Sequence, residues 1–138
     1  MNPLATKNPT DKEHNAFYDF DIVAEEAAAS VGCKVVLPKE NQLQIDLDSE
    51  DAYGYFNRRL EDVYKRLPWD FDIDVKPSKS GLPHRHITLT FNDKTFTPME
   101  QIVYQMMLGS DPIREGLNAL RLASGVANPT RFFEPIGE

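Results

Sequence analysis

Apolar and polar residues alternate without a break from Gln42 to Asp48. Leu43, Ile45 and Leu47 take one side and Gln44, Asp46 and Asp48 the other, the two-residue period of a strand buried on one face. The alternation returns at Phe71, Ile73 and Val75 against Asp72 and Asp74. It is clearest at Ile87, Leu89 and Phe91 against His86, Thr88 and Thr90, with His84 further along the polar side. Lys34 to Leu37 predicts a short strand before these. Between the first two alternating runs lies a helical stripe, Ala52, Phe56, Leu60, Val63 and Leu67. Ser49-Glu50-Asp51 opens it with acids that suit the helix dipole, and Pro68 ends it. Asp21 predicts an N-cap for a helix reaching Val31, where Gly32 stops it. Thr97-Pro98-Met99-Glu100 is a capping box with proline at the first helical position, and that helix runs to Leu108. Asp111-Pro112 opens a last helix that ends near Ser124-Gly125. Met99, Met106 and Met107 read as core fillers.

The order helix, strand, strand, helix, strand, strand, helix, helix predicts an α+β fold. Its core is a four-stranded mixed sheet of strand-strand-helix-strand-strand, RRM-like form, with helices packed on the apolar face. The segment from Gln42 to Val75 is expected to be a right-handed crossover joining parallel strands, and Pro77 to Pro83 to close a hairpin. A sheet of this kind leaves its polar face open to solvent or ligand. Residues 1–15 read as a flexible N-terminal tail, 16–127 as a single domain and 128–138 as a C-terminal tail.

Composition narrows the function classes. The 138 residues suit one core, and 41% hydrophobic with 27% charged residues is a globular balance. Glu25, Glu26 and Lys34 interrupt the only long apolar-leaning run, Ile22 to Val36, so no membrane span is expected. Met1 to Thr10 lacks the apolar stretch of a secretory signal. The single cysteine, Cys33, excludes an internal disulfide and a thiolate zinc site and points to the cytoplasm. A net charge of -7 argues against coating nucleic acid through bulk charge. It leaves room for a local basic groove, because Arg58, Arg59, Lys65, Arg66, Lys76, Lys79, Arg85 and Lys94 fall in the middle of the chain.

The chemistry-bearing residues gather on the polar sheet face. Asp46 and Asp48 project from one side of a strand about 6.5 Å apart, at about 3.3 Å of rise per residue. That spacing suits Mg²⁺ or Mn²⁺ held together with phosphate oxygens. Two plainer roles stand beside it: solvated surface, or Asp48 as cap of the following helix. His86 is a candidate phosphate ligand or general acid or base. Ser78, Lys79, Ser80 and Gly81 form a loop whose hydroxyls and backbone N–H groups suit an anion, and Lys76 and Arg85 add positive charge. Asp111 reads as an N-cap. Arg114 and Arg121, on one helical face, reach a phosphate or pair with Glu115 and Glu100.

Leu43-Gln44-Ile45-Asp46-Leu47-Asp48 resembles the hydrophobic-Asp-hydrophobic-Asp motif of archaeo-eukaryotic primases and primase-polymerases. Ser78-Lys79-Ser80-Gly81 followed by His86-Ile87-Thr88-Leu89 is similar to that superfamily's second motif, a small-residue turn leading to a histidine on a strand. The stretch from Ser78 to Arg121, with its Gly109-Ser110-Asp111-Pro112-Ile113-Arg114, also looks like small bacteriophage proteins that carry this histidine motif. The likeness covers roughly residues 42–91. It implies a nucleotide- or nucleic-acid-phosphate-binding protein, acting through metal-dependent phosphoryl or nucleotidyl transfer in phage or mobile-element replication within a bacterial host cell. Asp46, Asp48 and His86 would be catalytic, with Asp46 and Asp48 holding the metal. Ser78, Lys79, Ser80, Gly81, Arg85 and Arg114 would bind phosphate or nucleotide. The family's third acidic motif has no counterpart.

Two other readings use the same residues. One is a non-catalytic phage accessory module that binds nucleic acid or a protein through the open sheet face. The other is a phosphodiesterase or nickase built on His84 and His86. The second His-x-Thr of two-histidine phosphoesterases is absent, and nickases carry an apolar residue where Arg85 stands.

Overall fold

A computed structural model describes residues 11–66 and 69–136, with side chains from Phe20 onward, Tyr64 excepted. The elements are α1 (Asp11–Ser30), β1 (Cys33–Val36), β2 (Gln42–Leu47), α2 (Glu50–Arg66), β3 (Phe71–Pro77), β4 (Arg85–Phe91), α3 (Pro98–Met107), α4 (Pro112–Ala123) and β5 (Phe132–Pro135). The fold is α+β, but the single four-stranded mixed sheet is not formed. A three-stranded sheet has the order β2-β4-β3, and β1 pairs with β5 in a separate two-stranded ribbon. Every pairing is antiparallel. The Pro77–Pro83 loop does close the β3–β4 hairpin. Strands β2 and β3 run in the same direction, yet β4 lies between them, so α2 does not connect hydrogen-bonded parallel neighbours.

Backbone hydrogen bonding explains why β1 stays out of the main sheet. The alternate residues of β2 that face away from β4 must find partners elsewhere. Gln42 N–H donates to the Lys39 carbonyl at 3.0 Å, and the Gln42 carbonyl accepts from Gln101 Nε2 at 3.0 Å. Gln44 N–H donates to Gln105 Oε1 at 3.0 Å, while the Gln44 carbonyl accepts from Arg114 at 2.8 Å. Asp46 N–H donates to Ser110 Oγ at 3.0 Å, and the Asp46 carbonyl accepts from Asp111 N–H at 2.8 Å. The outer edge of β2 is thus occupied by α3, α4 and the turn between them, which leaves no ladder for another strand.

The core lies on the apolar side, where α2 packs on β2 and β4. Leu43, Ile45, Leu47, Ile87, Leu89 and Phe91 meet Phe56, Phe96 and Leu108, with Trp69 set edge-on against Phe91, Phe96 and Tyr104. Ile73 and Val75 face this side but stay half exposed, because β3 is the edge strand. Met99, Met106 and Met107 are also about half exposed rather than core fillers. The capping box at Thr97 forms as the sequence predicts. In the α3–α4 turn, Gly109 has φ +89° and lies so close to Tyr55 that a Cβ would meet its ring at 2.7 Å.

The polar face of the sheet is covered in part by the ribbon. Gln44 Nε2 donates to the Val36 carbonyl at 3.0 Å, and the His86 ring stacks on Phe132 of β5. The expected open face is therefore closed over Gln44 and His86. Residues 132–135, assigned by sequence to a C-terminal tail, are a structural strand, because Phe132 is buried and β5 supplies the only ladder to β1 among the described residues. The helix predicted from Asp21 begins at Asp11, so Asp21 is not its cap. Its carboxylate instead pairs with Arg131 at 3.0 Å. The rest of the expected N-terminal tail, and Leu67 and Pro68 at the end of the α2 stripe, lie outside the described residues.

Candidate functional site

Where β2 and β4 leave the shelter of the ribbon, their polar faces and the hairpin loop enclose a cavity of about 570 Å³. Asp46, Asp48, Ser78, Lys79, Ser80, His84, His86, Arg114 and Arg131 line it, with Phe132 and Phe133 on the ribbon side. The register creates two acid–imidazole pairs. Asp46 stands opposite His86 across the β2–β4 ladder, with His86 Nε2 3.7 Å from Asp46 Oδ1. One step further, His84 Nδ1 lies 3.3 Å from Asp48 Oδ1. Asp48 does not cap α2. That role belongs to Ser49, whose Oγ accepts from Ala52 N–H at 3.0 Å.

The two pairs differ in setting. The His84–Asp48 pair is about half exposed, whereas the His86 side chain is only 12% exposed. His86 lies flat on Phe132, and its Nδ1 is 3.2 Å from Glu134 Oε2 on β5. Burial raises the pKa of Asp46. The nearby charges of Arg114 and His86 oppose that rise, and those of Asp48 and Asp111 add to it. A carboxylate held against its solvation preference beside a histidine is a common arrangement at functional sites.

Part of the hairpin loop's backbone is used up within the loop itself. Ser78 N–H donates to the His84 carbonyl, and Gly81 N–H closes a turn on the Ser78 carbonyl at 2.8 Å. These donors are therefore engaged within the loop. Gly81 has φ +78°, so it shapes the turn and does not line the cavity. The Ser78 and Ser80 hydroxyls and the Lys79 ammonium remain for a ligand. Among the described residues no carboxylate lies within ion-pair distance of Lys79.

Arg85 is excluded from the site by strand alternation. It points to the α2 side, 4.0 Å from the centre of the Tyr53 ring and 3.0 Å from Glu50. Arg114 lines the cavity, but its guanidinium is also structural. It bonds the Gln44 carbonyl, Ser110 Oγ, Glu115 and the Arg131 carbonyl. The fully buried Glu115 carboxylate further accepts from Gln105, Asn118 and Ser110. Asp111 is the N-cap of α4, its Oδ1 accepting from Ile113 N–H. The stretch from Gly109 to Glu115 thus anchors the strand that carries Asp46.

Arg131, Phe132 and Glu134 carry no sequence signal for this site, since they arrive from a distant, irregular part of the chain. His84 was legible from its alternation with His86. Among the described residues, no three His, Cys, Asp or Glu side chains are grouped to hold a metal ion. Asp46 and Asp48 offer two carboxylate groups, and a hexacoordinate Mg²⁺ or Mn²⁺ there would draw its other ligands from water or phosphate.

A second groove of about 630 Å³ adjoins the first and shares Ser78 and Lys79 with it. Lys34, Val36, Lys76, Pro77, Glu134 and Pro135 complete its walls. No helix among the described residues is long and apolar enough to cross a membrane. Comparison with family models, with curated proteins and with solved structures finds no match to this chain.

Proposed function

We propose that the cavity binds the phosphates of a nucleotide or nucleic-acid strand, in the manner of a primase-polymerase relative. One observation carries this reading: Asp46, Asp48, Ser78, Lys79, Ser80 and His86 all line one cavity, with three cationic side chains among its walls. Lys79 is suited to act as a point charge on phosphate, and the serine hydroxyls to donate to its oxygens. Asp46 and Asp48 would hold a Mg²⁺ or Mn²⁺ ion jointly with those oxygens. The ion would supply charge stabilisation for phosphoryl or nucleotidyl transfer. His86 Nε2, turned toward Asp46, would contact the bound phosphate or move a proton.

A second reading keeps the ligand and omits the chemistry. The adjoining groove with Lys34 and Lys76 favours it, because these lysines stand on the side of Lys79 away from Asp46 and Asp48, neither of which lines that groove. The protein would then hold a phosphate chain as an accessory module, along the two grooves and not across a bare sheet.

Calorimetric titration of the full chain with a nucleoside triphosphate, with and without Mn²⁺, separates these readings. Lys79→Ala and His86→Ala should each weaken metal-free binding about tenfold, or about 1.4 kcal/mol. If the site is metal-dependent, Mn²⁺ tightens binding and Asp46→Asn removes that gain. Metal-free binding unaffected by Mn²⁺ supports the accessory module. Absence of binding in both buffers, or no change in either alanine variant, overturns the phosphate site.

A further inference from the structure

The His86 imidazole is held on three sides. Its face lies on Phe132, with ring centroids 4.1 Å apart and planes 3° from parallel. Nδ1 is 3.2 Å from Glu134 Oε2, and Nε2 is 3.7 Å from Asp46 Oδ1. The Glu134 side chain is 15% exposed and that of Asp46 24%. Glu134 approaches from the lysine-lined groove, while His86 and Asp46 line the first cavity. The imidazole therefore lines the first cavity with a carboxylate beside each of its nitrogens.

From this geometry we infer that Glu134 is a positioning residue for His86. Its carboxylate accepts a hydrogen bond from Nδ1–H, which fixes the tautomer and leaves Nε2 as the bare nitrogen facing Asp46 and the cavity. A neutral imidazole carries one N–H, and the partner of one nitrogen decides the state of the other. The remaining charged groups around the ring do not compete for Nδ1. Lys76 is the cross-strand partner of His86 on β3, but its ammonium pairs with Asp74. Arg114 on α4 lies over Phe132, 5.0 Å from that ring's centre. Nε2 is thereby presented to the cavity as a hydrogen-bond acceptor for an O–H or N–H group of a bound ligand. Glu134 acts only through His86. This rests on the position of His86 in the cavity, and on the proposed phosphate site only for its affinity arm.

Long-range proton–nitrogen correlation spectra of the ¹⁵N-labelled full chain test the assignment, at a pH where the imidazoles are neutral. The wild type should show His86 protonated at Nδ1. In Glu134→Ala the ring should shift toward the Nε2–H form that an unconstrained imidazole prefers. His84, bonded to Asp48, should not change. Glu134→Gln retains an acceptor oxygen and should rescue the Nδ1–H form. If wild-type His86 carries its proton on Nε2, or if Glu134→Ala leaves the tautomer unchanged, the inference is overturned. The wild-type spectrum decides the matter even if the alanine variant does not fold. In the calorimetric titration Glu134→Ala should weaken nucleotide binding by about the same tenfold as His86→Ala, with Glu134→Gln restoring most of it. An Nδ1–H tautomer in a protein that binds no nucleotide would sink the proposed function and leave this inference standing.

Discussion

His86 and Phe132 lie face to face, 4.1 Å apart and 3° from parallel, although they belong to different sheets. The contact joins the β1–β5 ribbon to the polar side of β4 and closes the expected open face. Phe132 is 3% exposed. Phe132→Ala should cost about 3–5 kcal/mol, the usual penalty for emptying a buried phenylalanine site, as read from urea unfolding. Phe132→Leu keeps most of the volume and removes the ring. The His86 ring protons, shifted upfield by the stack in the wild type, should then move downfield in proton NMR spectra. If they do not move, the stack is absent in solution.

The raised pKa of Asp46 makes a signed prediction. Its carboxyl binds a proton more tightly in the folded chain than in the unfolded one. The stability linked to it is complete below the ordinary carboxylate range and is lost as pH rises through the raised value. Asp46→Asn escapes this loss. The variant should melt higher than wild type at pH 7, and the difference should vanish as pH falls below the carboxylate range. Combined with loss of any metal-dependent binding, this would be the stability–function trade-off of an active site. A variant that melts lower at pH 7 contradicts it.

Glu115 is the centre of the buried network behind the site, accepting from Gln105, Ser110, Arg114 and Asn118. Glu115→Gln leaves the Arg114 charge without its counterion and turns an amide donor toward other donors. A loss of about 3–5 kcal/mol is expected, as for other broken buried pairs, measured as a lower urea midpoint. Nucleotide affinity should fall with it, because Arg114 and Ser110 hold the backbone of Gln44 and Asp46.

Arg85 provides the contrast. It was a phosphate-ligand candidate by sequence, yet it faces Tyr53 and Glu50 on the α2 side. Arg85→Ala should leave nucleotide affinity within twofold of wild type and cost about 1 kcal/mol or less of stability, since its ion pair is largely exposed on the Glu50 side and its cation–π contact is modest. A tenfold loss of affinity in calorimetry would mean that Arg85 reaches the ligand after all.

What the chain determines by itself is local. The two-residue alternation of β2 and β4 is enough to put Asp46, Asp48, His84 and His86 on one face, because side-chain direction on a strand depends only on position parity. The Thr97 capping box and the Asp111 cap follow from contacts within a few residues. By the same parity Arg85 had to point away from His86, a consequence the charge of the loop obscured. Sheet order and the cover of the polar face were decided by tertiary structure. β1 is displaced from the main sheet because Gln101, Gln105, Ser110 and Arg114, distant in sequence, occupy the β2 edge. Glu134 and Phe132 reach His86 only because β5 returns to pair with β1. Such contacts depend on which distant backbone and side-chain groups satisfy one another, and no period or spacing along the chain records that choice.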